Sequence, residues 1–578
     1  MTSNKLFLSL LLAGAVGSAS AQNLKEAKAA MQAEQYDKAK GMLQQLVVKK
    51  AKDGQNYFYL GQIHLINDKI DSAAIVFNEG VTNAPNEKLN VVGLGIVDLY
   101  KGNEAAAQTK FTTATSNLGK KDYLPLFYVG RAYIDAPKPD FTKAIEYLTQ
   151  AKAKNAKDAE VSVALGDAYS GLRESNQAYL SYSDALDIDG TLIDPKIGQA
   201  IISRRAQAYD IVLEQLATLG TENPNYAPIY RELAETYYLS SLKAPEEDYR
   251  EINQKAVENY KKYLSLTGDN SVEAKTRYAD FLVYSGNYDE LKTVSQELAN
   301  APGVDAKVFR YLGYIAYNQD KDYAKSAEYL KQLFEKVQPE RLIPRDYLYA
   351  GLANIGIGNN EEGTRLLKEA IAKQAEEDDL LAEISETAFA KYTDGDVPAA
   401  IGLFAIPASM PESDYYYDAN YYIGLGEYGI GSKILAVKEG EPEVEDGGLA
   451  KLAEAKPHLE KAVAALGAVT KATKQEDVDK YYIPALYYKG LAELGLDNVM
   501  YNPEEAKGLF VDSFTKLIEA VKAKPDVTNA NEYLIDANNY LAFYAYYQGD
   551  NAKAKALFGE TLKVNPEDEF ALQFYDQL

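Results

Sequence analysis

Histidine and cysteine supply most nucleophiles, proton shuttles and soft metal ligands, and this chain of 578 residues has two of the first and none of the second. Without cysteine there is no thiolate nucleophile, zinc–thiolate centre, iron–sulfur cluster or disulfide. His64 and His458 lie far apart, and no H-E-x-x-H motif occurs, so neither a histidine metal site nor a triad is expected. His64 follows Gly61 by three residues, where related segments carry Tyr133 and Tyr169, and is expected in the core. The stretch GLGEYGIG (424–431) satisfies G-x-G-x-x-G. A dinucleotide loop, however, follows a buried strand, whereas this one follows DYYYDANYYI. There is no P-loop and no G-x-S-x-G. The 85 carboxylates are so many that any chosen acid/base pair is uninformative. The acidic clusters EEDD (376–379) and KEGEPEVEDGG (438–448) lack calcium-loop spacing and are expected as solvated surface. These readings predict no catalytic residue, no metal and no cofactor, hence no enzyme.

Recognition chemistry remains. With 61 basic against 85 acidic residues the net charge is −24, which repels a nucleic-acid backbone, so no nucleic-acid partner is expected. A hydrophobic share of 47% suffices to bury a core. There are 47 Tyr and 17 Phe but no Trp. Residues 1–21, MTSNKLFLSLLLAGAVGSASA, combine Lys5, an apolar run from Leu6 to Val16 and an A-x-A site at Ala19–Ala21. That is the pattern of a signal peptide, with the mature chain beginning at Gln22. No later run is long enough to span a membrane, so the mature chain is expected to have no transmembrane segment.

The elements that position the aromatic residues show a period. Gly61, Gly95, Gly130, Gly166, Ala200 and Ala234 follow one another at 34 to 36 residues, and Ala279 precedes Gly313 by 34. Twelve residues after several anchors comes a second small residue (Ala73, Ala107, Ala178, Gly363, Ala400, Ala554). Four further on stands a large one: Phe77, Phe111, Tyr182, Leu367, Phe404 or Phe558. Between the small residues lies a turn such as KGNE (101–104), SGNY (285–288) or QGDN (548–551). Apolar residues at i, i+3, i+4 and i+7 flank each turn, which predicts two amphipathic helices. A Pro often closes the unit, as at Pro85, Pro224 and Pro566. Small residues belong where the two helices cross, because a bulky side chain would hold the backbones apart. One hairpin cannot bury both faces, so the units must stack.

On these residues the chain resembles the tetratricopeptide repeat family, with about fourteen units of some 34 residues. The resemblance implies an all-α, right-handed superhelical solenoid of antiparallel helix hairpins. The family's common Trp is replaced by Tyr or Leu, and three units are stretched, one by KAPEEDYREINQ (243–254). The expected organisation is a signal peptide (1–21), an N-terminal array (22–300) and a middle array (301–430). A stretched unit with the acidic loop (431–480) and C-terminal units with a cap helix (481–578) complete it. In this family the first helices line a concave groove. Offsets of three before, one after and four after each anchor then nominate Phe58, Phe127, Arg131, Arg231, Tyr238, Arg310, Tyr314, Tyr317, Tyr421, Tyr428, Tyr487, Phe543 and Tyr546, with Arg205 five after its own. Tyr and Arg combine area with directional polar groups, as binding hot spots require. The expectation is a non-catalytic scaffold of the bacterial cell envelope, exported to the periplasm or beyond, that binds a protein or peptide partner. The alternative is a glycan-binding or nutrient-uptake accessory protein of the envelope.

Overall fold

The computed structural model describes residues 23–375, 378–436, 448–499 and 502–578. The expected signal peptide, Glu376 and Glu377 of the EEDD cluster, and residues 438–447 of the acidic loop lie outside them. Among the described residues every regular element is a helix. No described helix is long and apolar enough to cross a membrane. The chain forms two compact units, Met1–Asp305 and Ala306–Leu578.

The described part of the first unit is eight helix hairpins in succession. They pair Leu24–Gln32 with Tyr36–Lys49, Gly54–Ile66 with Ile70–Asn83, Leu89–Tyr100 with Glu104–Thr115, and Leu124–Asp135 with Phe141–Lys154. Then follow Ala159–Gly171 with Ser175–Ile188, Asp194–Arg205 with Tyr209–Glu222, Ala227–Ser241 with Glu246–Thr267, and Val272–Ser285 with Tyr288–Ala299. The KAPEEDYREINQ insertion is absorbed mostly as extra helix, since Glu246–Thr267 runs 22 residues. The second unit shows six hairpins among its described residues. Their pairs are Lys307–Asn318 with Tyr323–Lys336, Pro344–Gly356 with Asn360–Lys373, and Leu380–Thr393 with Val397–Phe404. The remaining three are Tyr416–Leu435 with Leu449–Val469, Ile483–Leu496 with Val511–Ala523, and Ala530–Tyr547 with Asn551–Val564. A last helix, Glu569–Tyr575, lays Phe574 flat on Phe558 with ring centroids 5.6 Å apart and so caps the stack. All of GLGEYGIG lies inside Tyr416–Leu435, where Gly424 makes room for Leu466. A phosphate-binding turn is therefore absent there.

The anchors work by omission of a side chain. A Cβ on Gly61 would stand 2.2 Å from the Phe77 ring, and one on Gly93 of the next hairpin 2.4 Å from the same ring. Phe77 is completely buried between them. Tyr182 is held in the same way between Gly166 and Gly198, each 2.4 Å from its ring by that measure. One large side chain thus fills the hole in its own hairpin and in the next, at the density of a crystal interior. Fully burying such a ring contributes about 1.5–3 kcal/mol. The hairpin turns need a left-handed residue, supplied by Gly102 at φ 74° and Gly549 at φ 79°. In the first hairpin Glu34 takes that position at φ 57°.

Filling an anchor should therefore cost more than filling a helical glycine that faces open space. Gly61→Val is expected to destabilise the first unit by about 1–3 kcal/mol through overpacking against Phe77. Gly41→Ala, where nothing lies within 4 Å, should leave stability unchanged or slightly raised. Urea unfolding of the two variants decides the matter, and equal midpoints would refute the anchor account.

Candidate functional site

The first helices of the early hairpins surround a cavity of about 570 Å³ inside the first unit. That volume falls in the range of about 300–1,000 Å³ typical of ligand sites. Tyr59 comes from the second hairpin, Arg131 from the fourth, Val163 from the fifth, Ile197 from the sixth and Arg231 from the seventh. The anchor offsets explain this choice of wall. Gln62, Ile96 and Asp167, each one residue after its anchor glycine, also line the cavity.

The first hairpin closes the ring. Arg231 donates from Nη1 to both Glu34 oxygens, at 2.6 and 2.7 Å. Gln35 donates to the Asn225 carbonyl at 3.3 Å, and Gln32 to Glu160 Oε1 at 3.3 Å. Lys28 Nζ stands 3.8 Å from Glu160 Oε2. A hairpin at the start of the chain thus meets the fifth and seventh hairpins, and the stack turns back upon itself around the cavity.

Charge is concentrated on this inner wall. Arg131 reaches Asp167 at 2.5 Å and Asp135 at 3.1 Å, and Tyr182 donates its hydroxyl to the other Asp167 oxygen at 2.8 Å. The Tyr226 hydroxyl donates to Asp194, and the Tyr59 and Tyr128 hydroxyls share a short hydrogen bond. Burial opposes the charge of Arg131 and Arg231, but the carboxylates around each outweigh it and hold both guanidiniums protonated. Asp194 lacks such compensation. Burial, reinforced by Asp167 and Glu34, pushes its carboxyl up to about 6 against the pull of Tyr226 and Arg131. Burial also raises Asp135, although its side chain keeps 53% of its surface open where it lines the cavity.

The structure distributes the sequence-nominated residues unevenly. Phe127, Arg131 and Arg231 line the cavity. Phe58 departs from expectation, because it is 0% exposed, wedged against Tyr59, Phe77 and Tyr128 in the seam between hairpins. It has no surface to offer a partner. Arg205 donates to the Ser170 carbonyl at 2.9 Å, and Tyr238 stacks on Tyr284 at 4.6 Å. In the second unit Arg310 clasps the buried Asp346 at 2.6 and 2.7 Å, and Tyr314 donates to the same carboxylate at 2.8 Å. Tyr314 and Tyr317 flank Tyr349 at 4.4 and 5.3 Å. Tyr421 packs on Tyr481, and Tyr428 on Tyr488. Tyr487, 7% exposed, donates to Asp536 at 2.6 Å. Phe543 and Tyr546 both meet Phe574 of the cap helix. These rings serve adjoining helices, so the sequence offsets select seam as well as groove.

Several wall residues escaped the sequence reading. Asp135, Asp167 and Asp194 were hidden among abundant carboxylates, although the anchor offset does reach Asp167. Nothing local marks Glu34, whose partner lies 197 residues away. Of the histidines, His64 is partly buried and burial lowers its pKa. His458 Nδ1 lies 2.5 Å from the buried Glu427. Among the described residues no cluster of three or more potential metal ligands occurs.

A charge-assisted hydrogen bond contributes about 1.5–3 kcal/mol, less where it is partly exposed. Glu34→Gln is therefore expected to speed amide exchange about tenfold across residues 24–49 through easier opening of the first hairpin. Exchange in the seventh and eighth hairpins should change little. Unaltered protection of residues 24–49 would show that the Glu34–Arg231 pair does not close the ring.

Residues 24–88 match the family described as tetratricopeptide repeat. No curated protein matches the chain. Among solved structures it is similar to the C-terminal part of a TPR repeat-containing protein from Cytophaga hutchinsonii, at 19% identity over 52% of this chain and 98% of that one, TM-score 0.27. It is also similar to a tetratricopeptide repeat protein from Parabacteroides merdae, at 19% identity over 45% and 95%, TM-score 0.29. A third likeness is to a human IFIT1 dimer with PPP-AAAA, at 14% identity over 59% and 94%, TM-score 0.30. Residues 24–88 thus carry the tetratricopeptide repeat, and the same helix hairpin, with a glycine or alanine at its crossing, recurs through the other described residues as an all-α repeat array.

Proposed function

We propose that this chain is a non-catalytic scaffold of the bacterial cell envelope that holds a segment of a protein partner on the inner wall of its first unit. Repeats of this family are in general protein-interaction scaffolds. The observation that carries the finer reading is the cavity of about 570 Å³ ringed by first helices, with Phe127, Arg131 and Arg231 on its wall. Tyrosine and arginine are the side chains that concentrate binding energy in small areas. A wall built on packed helices holds them in place before a partner arrives, which lowers the entropic cost of association. The three-part pattern of residues 1–21 supports export, with the periplasm as destination.

A photo-crosslinking amino acid at Val163 or Gln62, both on the cavity wall, should capture a partner chain in intact cells. The same group at Val48, 83% exposed on the second helix of the first hairpin, should capture far less. Crosslinks from Val48 alone would overturn the inner-wall assignment.

A further inference from the structure

The charges that line the cavity do not balance. Its wall carries three cationic side chains, Lys28, Arg131 and Arg231, against five carboxylates. Each cation is already engaged, Lys28 with Glu160, Arg131 with Asp135 and Asp167, and Arg231 with Glu34. Asp194 is the carboxylate with no cation of its own. Its one hydrogen bond comes from the Tyr226 hydroxyl to Oδ1, so among the described residues Oδ2 has no donor. Asp135 likewise spends only Oδ1 on Arg131.

The rest of the wall suits one kind of guest. Aromatic rings of Tyr36, Tyr59, Phe127 and Tyr128 line the space, and ring faces attract cations once water is displaced. Leu192 and Ile197 give the Asp194 region an apolar side, against which an aliphatic stem gains by burial. An anion would find both arginines already neutralised and two surplus negative charges on the same wall.

We propose that the cavity receives an ammonium or guanidinium group on an aliphatic stem, namely a lysine or arginine side chain of the captured segment, set against Asp194 and Asp135. This rests on the reading of the inner wall as a peptide site and adds the chemistry of what enters it. The proposal carries a pH signature. The charged and titratable groups around Asp194 are Arg131 and Asp135 of the fourth hairpin, Asp167 and Tyr182 of the fifth, Glu34 and Tyr36 of the first, and Tyr226 and Arg231 at the seventh. Their sum, dominated by burial, puts the Asp194 carboxyl at about 6. A cation beside it favours the ionised form, so binding below that pH must release a proton. Affinity therefore falls as the pH drops through about 6 and is full above it.

The test uses the full mature chain and capped peptides Ala-Leu-X-Leu-Ala with X lysine, norleucine or glutamate, alongside free cadaverine, in calorimetric titrations. At pH 7.5 the lysine peptide is expected to bind at least tenfold more tightly than the norleucine peptide, and the glutamate peptide most weakly. Asp194→Asn should abolish the lysine preference while leaving norleucine binding and the unfolding temperature no lower than before. Asp135→Asn, a second variant, should reduce the preference severalfold. In the unaltered chain the preference should shrink between pH 7.5 and 5.5, and in Asp194→Asn none should appear at either pH. Norleucine binding as tightly as lysine, or glutamate binding best, overturns the cation assignment and leaves the peptide site standing. No binding by any peptide overturns the peptide site itself. Cadaverine binding as tightly as the lysine peptide keeps the cation site and overturns its assignment to a partner's side chain.

Discussion

Each hairpin depends on a large side chain seated where a glycine or alanine lets two helices touch. Phe77 between Gly61 and Gly93, and Tyr182 between Gly166 and Gly198, each bind one hairpin to the next as well as closing their own. The interaction is local in sequence and, from Gly61 to Ala234, repeats every 34 to 36 residues, so the stack is a chain of nearest-neighbour contacts. It also dictates which faces point inward. Once the second helices carry the filling rings, the first helices are free to present residues next to the anchors to the interior, and there the cavity forms.

A different kind of bond draws the first unit around its cavity. Stacking alone fixes only neighbours, whereas Glu34 and Arg231 join the first hairpin to the seventh. The pair is part-buried, so its charge is screened less than that of a surface bridge, and Glu232 supports the same arginine. The wall behind it keeps more carboxylate than cation. Arg131 satisfies two aspartates, while Asp194 has a tyrosine hydroxyl alone. The fold holds that carboxylate at a cost, which a cationic guest would offset.

The repeat was legible because its signal is periodic and steric. A missing side chain at Gly61 and a ring sixteen residues on at Phe77 are visible in any linear reading, and the structure joins them directly. The Gly-rich stretch at Gly424 obeys the same steric rule, since that glycine lies within a helix and makes room for Leu466. Less was legible of the site. Phe58 shares its offset with Phe127, yet one is sealed in a seam and the other reaches the cavity, because what lies opposite each depends on neighbouring hairpins and not on its own sequence. Glu34 could not be found at all, since closure joins residues that nothing local connects. Asp194 was invisible for a third reason. Its distinction is the lack of a partner cation, and that exists only in three dimensions.

The enclosure of the inner wall by the first hairpin is the claim on which the cavity depends. Spin labels at Lys38 and Asn225, both exposed and on either side of the closure, measure it directly by pulsed dipolar spectroscopy. The account predicts one narrow population at short separation. A broad distribution, or a single long separation, would mean that the first hairpin stands away from the seventh and that the first unit holds an open groove.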